Sequence, residues 1–306
     1  MVTRVVALGG GHGLSATLRA LGILGADITA IVGTGDDGGS SGRLREHLGV
    51  PPPGDLRMAL VALVGDGSGE SLWPRVLQHR FGGTGDVEGH ALGNLLLVAL
   101  WEETGDIVAG LDRLGRVLEA RGRVLPNSLD PVEVLADVAT ADGVREVRGQ
   151  ARLTTTKGRV ESLRLVPDAP RACPEAVEAL LRARAVILGP GSWYTSVLPH
   201  LLVPGVAEAI ETSTARRILV LNAAAQPGET EGFDAHTYLE TWTRLFPGMR
   251  LDVVLADPSR VADPAPLAAA ARRAGAEVHV ADVVMPGTAQ HDPQRLAAAL
   301  EALIPR

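Results

Sequence analysis

Val5-Val6-Ala7-Leu8-Gly9-Gly10-Gly11-His12-Gly13 is the stretch that decides how this chain is read. A short, largely β-branched apolar run ends in a glycine loop, and a helical pattern, Leu14 to Leu21, opens directly behind it. A second run, Ile28-Thr29-Ala30-Ile31-Val32, leads into another loop, Asp36-Asp37-Gly38-Gly39-Ser40-Ser41-Gly42. Two consecutive strands thus bring glycine-rich loops to one end of a parallel sheet. Glycine lets backbone N–H groups approach a ligand closely, and a helix N-terminus adds partial positive charge, so this edge favours phosphate. The carboxylates of Asp36 and Asp37 repel bare phosphate. They suit sugar hydroxyls, a bridging cation or catalysis.

The strand–loop–helix rhythm recurs. Val2–Leu8 and Ile28–Val32 read as buried parallel strands. Residues 51–120 read as mostly helical, in segments Leu56–Val64, Leu72–Arg80, Ala91–Glu103 and Ile107–Leu118, with glycines and aspartates as breaks. Val132–Thr140 alternates apolar and polar residues, and Val144–Thr156 and Arg159–Val166 flank a plausible turn at Lys157-Gly158. Alternation then resumes with strands Ala185–Leu188, Ile218–Leu221, Leu251–Leu255 and Glu277–Val280, and helices near Ala207–Thr212, Asp234–Phe246, Ala265–Ala274 and Pro293–Leu303. The pattern predicts a Rossmann-like, doubly wound α/β fold with a mostly parallel sheet and extra, partly antiparallel β structure mid-chain. We expect one domain over residues 1–306. Gly49–Gly54 and Val166–Pro174 are linker-like, and cap or connect helices more naturally than they join domains.

Composition narrows the functions. With 306 residues, 46% of them hydrophobic, the chain can build a large core. A formal charge of −7 argues against a general nucleic-acid binder, and 3% aromatics against base stacking on an aromatic platform. One cysteine, Cys173, rules out an intrachain disulfide and fits a reducing cytoplasm. No charged-then-apolar leader and no long apolar run is visible, so no signal peptide or membrane span is expected.

Each chemistry-bearing segment has a plainer reading beside it. Gly9–Gly13 lacks the third glycine of G-x-G-x-x-G, since Leu14 stands there, and lacks a P-loop lysine. It is a tight strand–helix turn or a phosphate cradle, with His12 able to donate one more hydrogen bond. Asp36–Gly42 is a solvated turn or, at the end of the second strand, a ribose-binding site. Asp55, in Pro53-Gly54-Asp55-Leu56-Arg57, is an N-cap or a ligand contact. His90 and Asn94 open a strongly apolar helix and serve either core hydrogen bonding or the site. Gly189-Pro190-Gly191-Ser192 is a further strand-end loop. Asn222 and Gln226, with Glu229 and Thr230 close behind, offer amides suited to a nucleobase or sugar. The expected diphosphate cradle is the N–H groups of Gly10, Gly11 and Ser192. No zinc spacing and no G-x-S-x-G elbow occurs.

Taken in order, these segments resemble the gluconeogenesis-factor family within the larger CofD-like superfamily. The resemblance rests on Val6–Gly13, Asp36–Arg45, Pro52–Arg57, Gly89–Leu95, Leu188–Ser196, Gln226–Thr230 and His291-Asp292-Pro293, and so spans nearly the whole chain. It implies a Rossmann-like fold, a bacterial cytoplasmic protein, a link to cell shape and wall synthesis on gluconeogenic carbon, and binding of UDP-sugars such as UDP-N-acetylglucosamine. It also implies enzymatic relatives, magnesium-dependent 2-phospho-lactate transferases that use a nucleotide-linked donor. The chain departs from the pattern at Gln290, where members usually carry arginine directly before the His-Asp pair. Asp263–Gly275 is also shorter and lacks a tyrosine.

Two readings follow: a nucleotide-sugar-binding regulator without turnover, and a transferase using magnesium held by Asp36, Asp37 or Asp55. A third, an NAD(P) oxidoreductase, stays open because dinucleotides fit such loops. No cofactor is certain, and magnesium belongs only to the transferase reading. Whether the chain works as a homodimer, or with regulatory or cell-wall-synthesis partners, is left open.

Overall fold

The computed structural model describes residues 2–64 and 71–305. The glycine- and aspartate-rich break at 65–70 lies outside them. Seven parallel strands form the central sheet: β1 (Arg4–Gly9), β2 (Asp27–Val32), β3 (Gly122–Pro126), β7 (Ala185–Leu188), β8 (Arg216–Val220), β9 (Val253–Ala256) and β10 (Glu277–Val280). A second, antiparallel sheet holds β4 (Glu133–Thr140), β5 (Gly143–Arg148) and β6 (Arg159–Val166), with β4 in the middle.

The central strands are continuous apolar runs because both faces of the sheet are covered. In β1, Val5 and Ala7 enter one buried cluster while Val6 and Leu8 enter the other. In β7, Ala185 and Ile187 split from Val186 and Leu188 in the same way. The small sheet packs its inner residues Val134, Ala136, Val138 and Val160 into the cluster that holds Val6 and Leu8, so it shares a core with the large sheet.

Strand order is β10-β9-β8-β7-β1-β2-β3. The chain builds outward from β1 through β2 to β3, makes the small sheet, then returns to lay β7 against the other side of β1. The winding direction therefore reverses between β1 and β7. In open α/β sheets, the crevice beyond the strand ends at such a reversal is where ligands bind.

The doubly wound fold with extra antiparallel structure is as expected, but two elements differ. β3 went unread because only Val124 and Leu125 are apolar between Arg123 and Pro126, on an edge strand. Val144–Thr156 is not one arm of a hairpin turning at Lys157-Gly158. β5 stops at Arg148 and pairs with β4, residues Gln150–Leu153 form a helical turn, and β6 pairs with the opposite edge of β4. Gly149, at φ 91°, ends the strand, and a Cβ there would overlap the Asp37 carboxylate.

Candidate functional site

The reversal brings two glycine turns into contact. Gly10 is the N-cap of the helix Gly11–Ile23, and Gly11 has φ 57°. A Cβ on Gly13 would overlap the Pro190 carbonyl, so the two turns lie closer than any side chain permits. Thr17 Oγ1 donates to the Gly189 carbonyl at 3.1 Å, and a ring nitrogen of buried His200 lies 3.2 Å from the Gly9 carbonyl. The turns are thereby fixed as one edge.

Beyond that edge lies a cleft of about 330 Å³. Its walls are His12, Ser15 and Arg19 from one helix face, Gly191, Asn222 and Gln226 from the β7 and β8 ends, and Gln290 and His291 near the C-terminus. Positions 12, 15 and 19 share a face because helical neighbours recur every three to four residues. Among the described residues, no carboxylate lines this cleft. Asn222 Oδ1 accepts from the Gly191 N–H at 2.9 Å, and its amide donates to Gln226 Oε1 at 3.2 Å. Among the described residues no group bonds the Gln226 side-chain amide nitrogen. Thr230 does not reach the cleft: its hydroxyl accepts from the Gln226 N–H and from Tyr238 Oη. Burial pulls His291 down to about 4, so its ring is neutral at pH 7; it donates to the Leu221 carbonyl, and Nε2 finds no partner.

Glu229 shapes the Ser192 turn from below. It is 7% exposed. Ser192 Oγ lies 2.8 and 2.6 Å from its two oxygens, and the Tyr194 N–H donates to it at 2.7 Å. Burial, the largest influence, raises its carboxyl above the usual range.

On the other side of Gly10–Gly11 sit Asp36 and Asp55. Asp55 is not an N-cap, since Pro53 holds that place; it stands in the first turn of the helix Gly54–Leu63 and accepts from the Gly11 N–H. Burial, then the charge of Asp36, raises it to about 7. Asp36 accepts from the Gly38 N–H at 3.0 Å and from Ser41, whose oxygen accepts in turn from the Gly54 N–H at 3.0 Å. Burial raises Asp36 too. Asp37 leaves this pair: its carboxylate caps the turn at 150–153 through the Ala151 N–H, 2.9 Å away. The expected diphosphate cradle thus loses the Gly11 N–H, which Asp55 occupies.

Gly38 is the N-cap of the helix Gly39–Leu48, and Gly39 takes φ 49°. Ser40 is clamped: Asn94 Nδ2 donates to its oxygen at 2.9 Å, which leaves the hydroxyl proton for His90 Nδ1 at 3.0 Å. His90 and Asn94 therefore anchor the second glycine loop rather than cap their own helix. Next to Ser40, Arg43, Arg45 and Arg80 share an open hollow with Asp37, Glu46 and Glu133, a balanced charge set. Among the described residues, no group of three or more His, Cys, Asp or Glu converges as a metal site. The pair Asp36 and Asp55 suits a magnesium ion only if substrate phosphates complete its shell.

Sequence reading missed Arg19 and Arg57. Arg57 is 5% exposed, and a Cβ on Gly93 would stand 2.8 Å from its Cδ. Glycine at 93 is the one local sign that a bulky side chain lies against that helix.

No helix among the described residues is long and apolar enough to cross a membrane. The family model for 2-phospho-L-lactate transferase CofD matches residues 5–294. A Mycobacterium tuberculosis protein is 49% identical over 313 residues, covering 100% of this chain and 92% of its own length. The gluconeogenesis factor of Bacillus subtilis is 38% identical over 260 residues, covering 85% of this chain and 80% of its own. A Bacillus halodurans crystal structure described as a UPF0052 family member superposes with TM-score 0.86 at 35% identity, covering 98% of this chain and 99% of that one. The chain belongs to the CofD family, among its gluconeogenesis factors.

Proposed function

We propose that this is a regulatory protein that binds a UDP-sugar, such as UDP-N-acetylglucosamine, and relays its level to cell-wall synthesis and cell shape during growth on gluconeogenic carbon. One observation carries the proposal: the cleft at the β1/β7 reversal is lined by amides, an arginine and a neutral histidine, with no carboxylate among the described residues. Such walls accept a phosphorylated ligand without like-charge repulsion and offer amides to a base or sugar. The names of the relatives support a role tied to gluconeogenesis. In this reading Gly13 and Gly191 line the floor, the turns of Gly9 to Gly11 and Gly189 stand behind it, Asn222 and Gln226 read the base or sugar, and Glu229 and Ser192 hold the turn between them.

A second reading rests on Asp36 and Asp55 beside Gly10 and Gly11. It is the transfer of a phospholactyl group, the activity named by the family model, here read as drawing on a nucleotide carrier and a magnesium ion. Asp36 and Asp55 would hold the ion, which would neutralise charge building on the phosphate. Native mass spectrometry of the purified protein separates the two. The regulator reading expects a UDP-sugar adduct that persists unchanged after incubation with magnesium. A guanosine-linked phospholactate adduct, or product accumulating with a deazaflavin acceptor, would establish the transferase instead.

A further inference from the structure

Resting on the nucleotide-sugar reading, we infer that Arg19 is the side chain that holds the ligand's diphosphate. Backbone N–H groups are the expected anion holders at a glycine edge, but several here are already spent. The Gly11 N–H donates to Asp55, the Gly191 N–H to Asn222, and the Tyr194 N–H to Glu229. Fewer N–H groups are then left for the anion, and a charged side chain of the cleft can make up the difference. Among the described lining residues, Arg19 is the one permanently charged group. His291 is neutral at pH 7, and Gln290, where the family resemblance leads one to expect a cation, is uncharged.

Arg19 is exposed, and among the described residues no carboxylate pairs with it, whereas nine ion pairs among them tie up eight arginines elsewhere. It stands two turns into the helix whose N-terminus is Gly10, on the face shared with His12 and Ser15. A diphosphate near His12 would meet the helix N-terminus at one end and a guanidinium fork at the other. A planar fork binds phosphoryl oxygens in pairs, which an ammonium cannot do. The substrate class is thereby narrowed to phosphorylated ligands, a diphosphate in the UDP-sugar reading, rather than a nucleoside or a free sugar.

The test is calorimetric titration of UDP-N-acetylglucosamine and of uridine into the wild-type protein and the Arg19→Gln and Arg19→Lys variants, at two salt concentrations. Arg19→Gln should weaken UDP-N-acetylglucosamine by about tenfold or more, the size of a charge-assisted hydrogen-bonded contact. Arg19→Lys should recover only part of this. Uridine affinity and the melting temperature should not move, and the salt dependence of UDP-sugar binding should flatten in Arg19→Gln. Wild-type affinity in Arg19→Gln overturns this inference alone. Equal loss for uridine and the UDP-sugar overturns it too, because Arg19 would then be shaping the cleft. Absence of UDP-sugar binding by the wild-type protein overturns the inference together with the reading beneath it.

Discussion

Asp55→Asn is expected to make the protein more stable at pH 8 and no more stable at pH 4. The folded protein holds the Asp55 carboxyl at about 7 against an ordinary value of 3.8. A carboxyl raised in the folded state favours folding while it is protonated. That contribution is fully present below about pH 4 and is lost as the pH rises through 7, because the native state must then ionise a desolvated group beside Asp36. At about 1.4 kcal/mol per unit over the roughly 3 units between 3.8 and about 7, the loss is on the order of 4 kcal/mol. Asparagine keeps an oxygen for the Gly11 N–H, removes the charge, and can donate an N–H to Asp36. The melting temperature should therefore rise by roughly 8 °C at pH 8, at about 2 °C per kcal/mol for a chain of this size. The two proteins should melt together at pH 4. A lower melting temperature for the variant at both pH values would mean that Asp55 is held by contacts that need its charge. Residues that cost stability this way are commonly kept for function, so the same substitution should abolish any magnesium-dependent activity.

Glu229→Ala should act in the opposite direction. The carboxylate gathers the Ser192 hydroxyl and the N–H of Tyr194, in a place almost closed to water. Truncation leaves the Tyr194 N–H buried without an acceptor and opens a cavity under the Ser192 turn. The combined cost is about 3 kcal/mol, from lost charged hydrogen bonds and an unpaired buried donor. Thermal unfolding should shift down by roughly 6 °C, and ligand affinity should fall because Gly191 lies on the same turn and holds Asn222 through its N–H. Glu229→Gln, which keeps one acceptor oxygen, should lose less than half as much. A Glu229→Ala variant with unchanged melting would show that the turn holds its shape without the carboxylate.

Much of this was visible in the sequence. The runs that became β1, β2 and β7 are short, apolar and each followed by glycine, which marks buried parallel strands feeding a ligand edge. What the sequence hides is pairing. Nothing local says that β7, more than 170 residues on, lies against β1 in the register Val5↔Ala185, and this pairing alone creates the cleft. β3 was hidden by its edge position, and the β4–β5 hairpin by a strand pattern that ran past Gly149 in the sequence but not in space. In the site, the glycine turns, Asn222 and Gln226 were readable because strand ends position them. The split of Asp36 from Asp37 was not, since it depends on where the 150–153 turn docks. Arg19 was not either, because an arginine on a helix face carries no mark until the opposite wall is known.

The measurement that bears most directly on the account is calorimetric titration of the wild-type protein with UDP-N-acetylglucosamine, beside GDP and NAD. A cleft with no carboxylate among its described lining residues and with amides facing it predicts saturable UDP-sugar binding at micromolar affinity or tighter, about 8 kcal/mol, with GDP and NAD weaker by about tenfold or more. Clear binding of GDP or NAD with no heat from the UDP-sugar would contradict it.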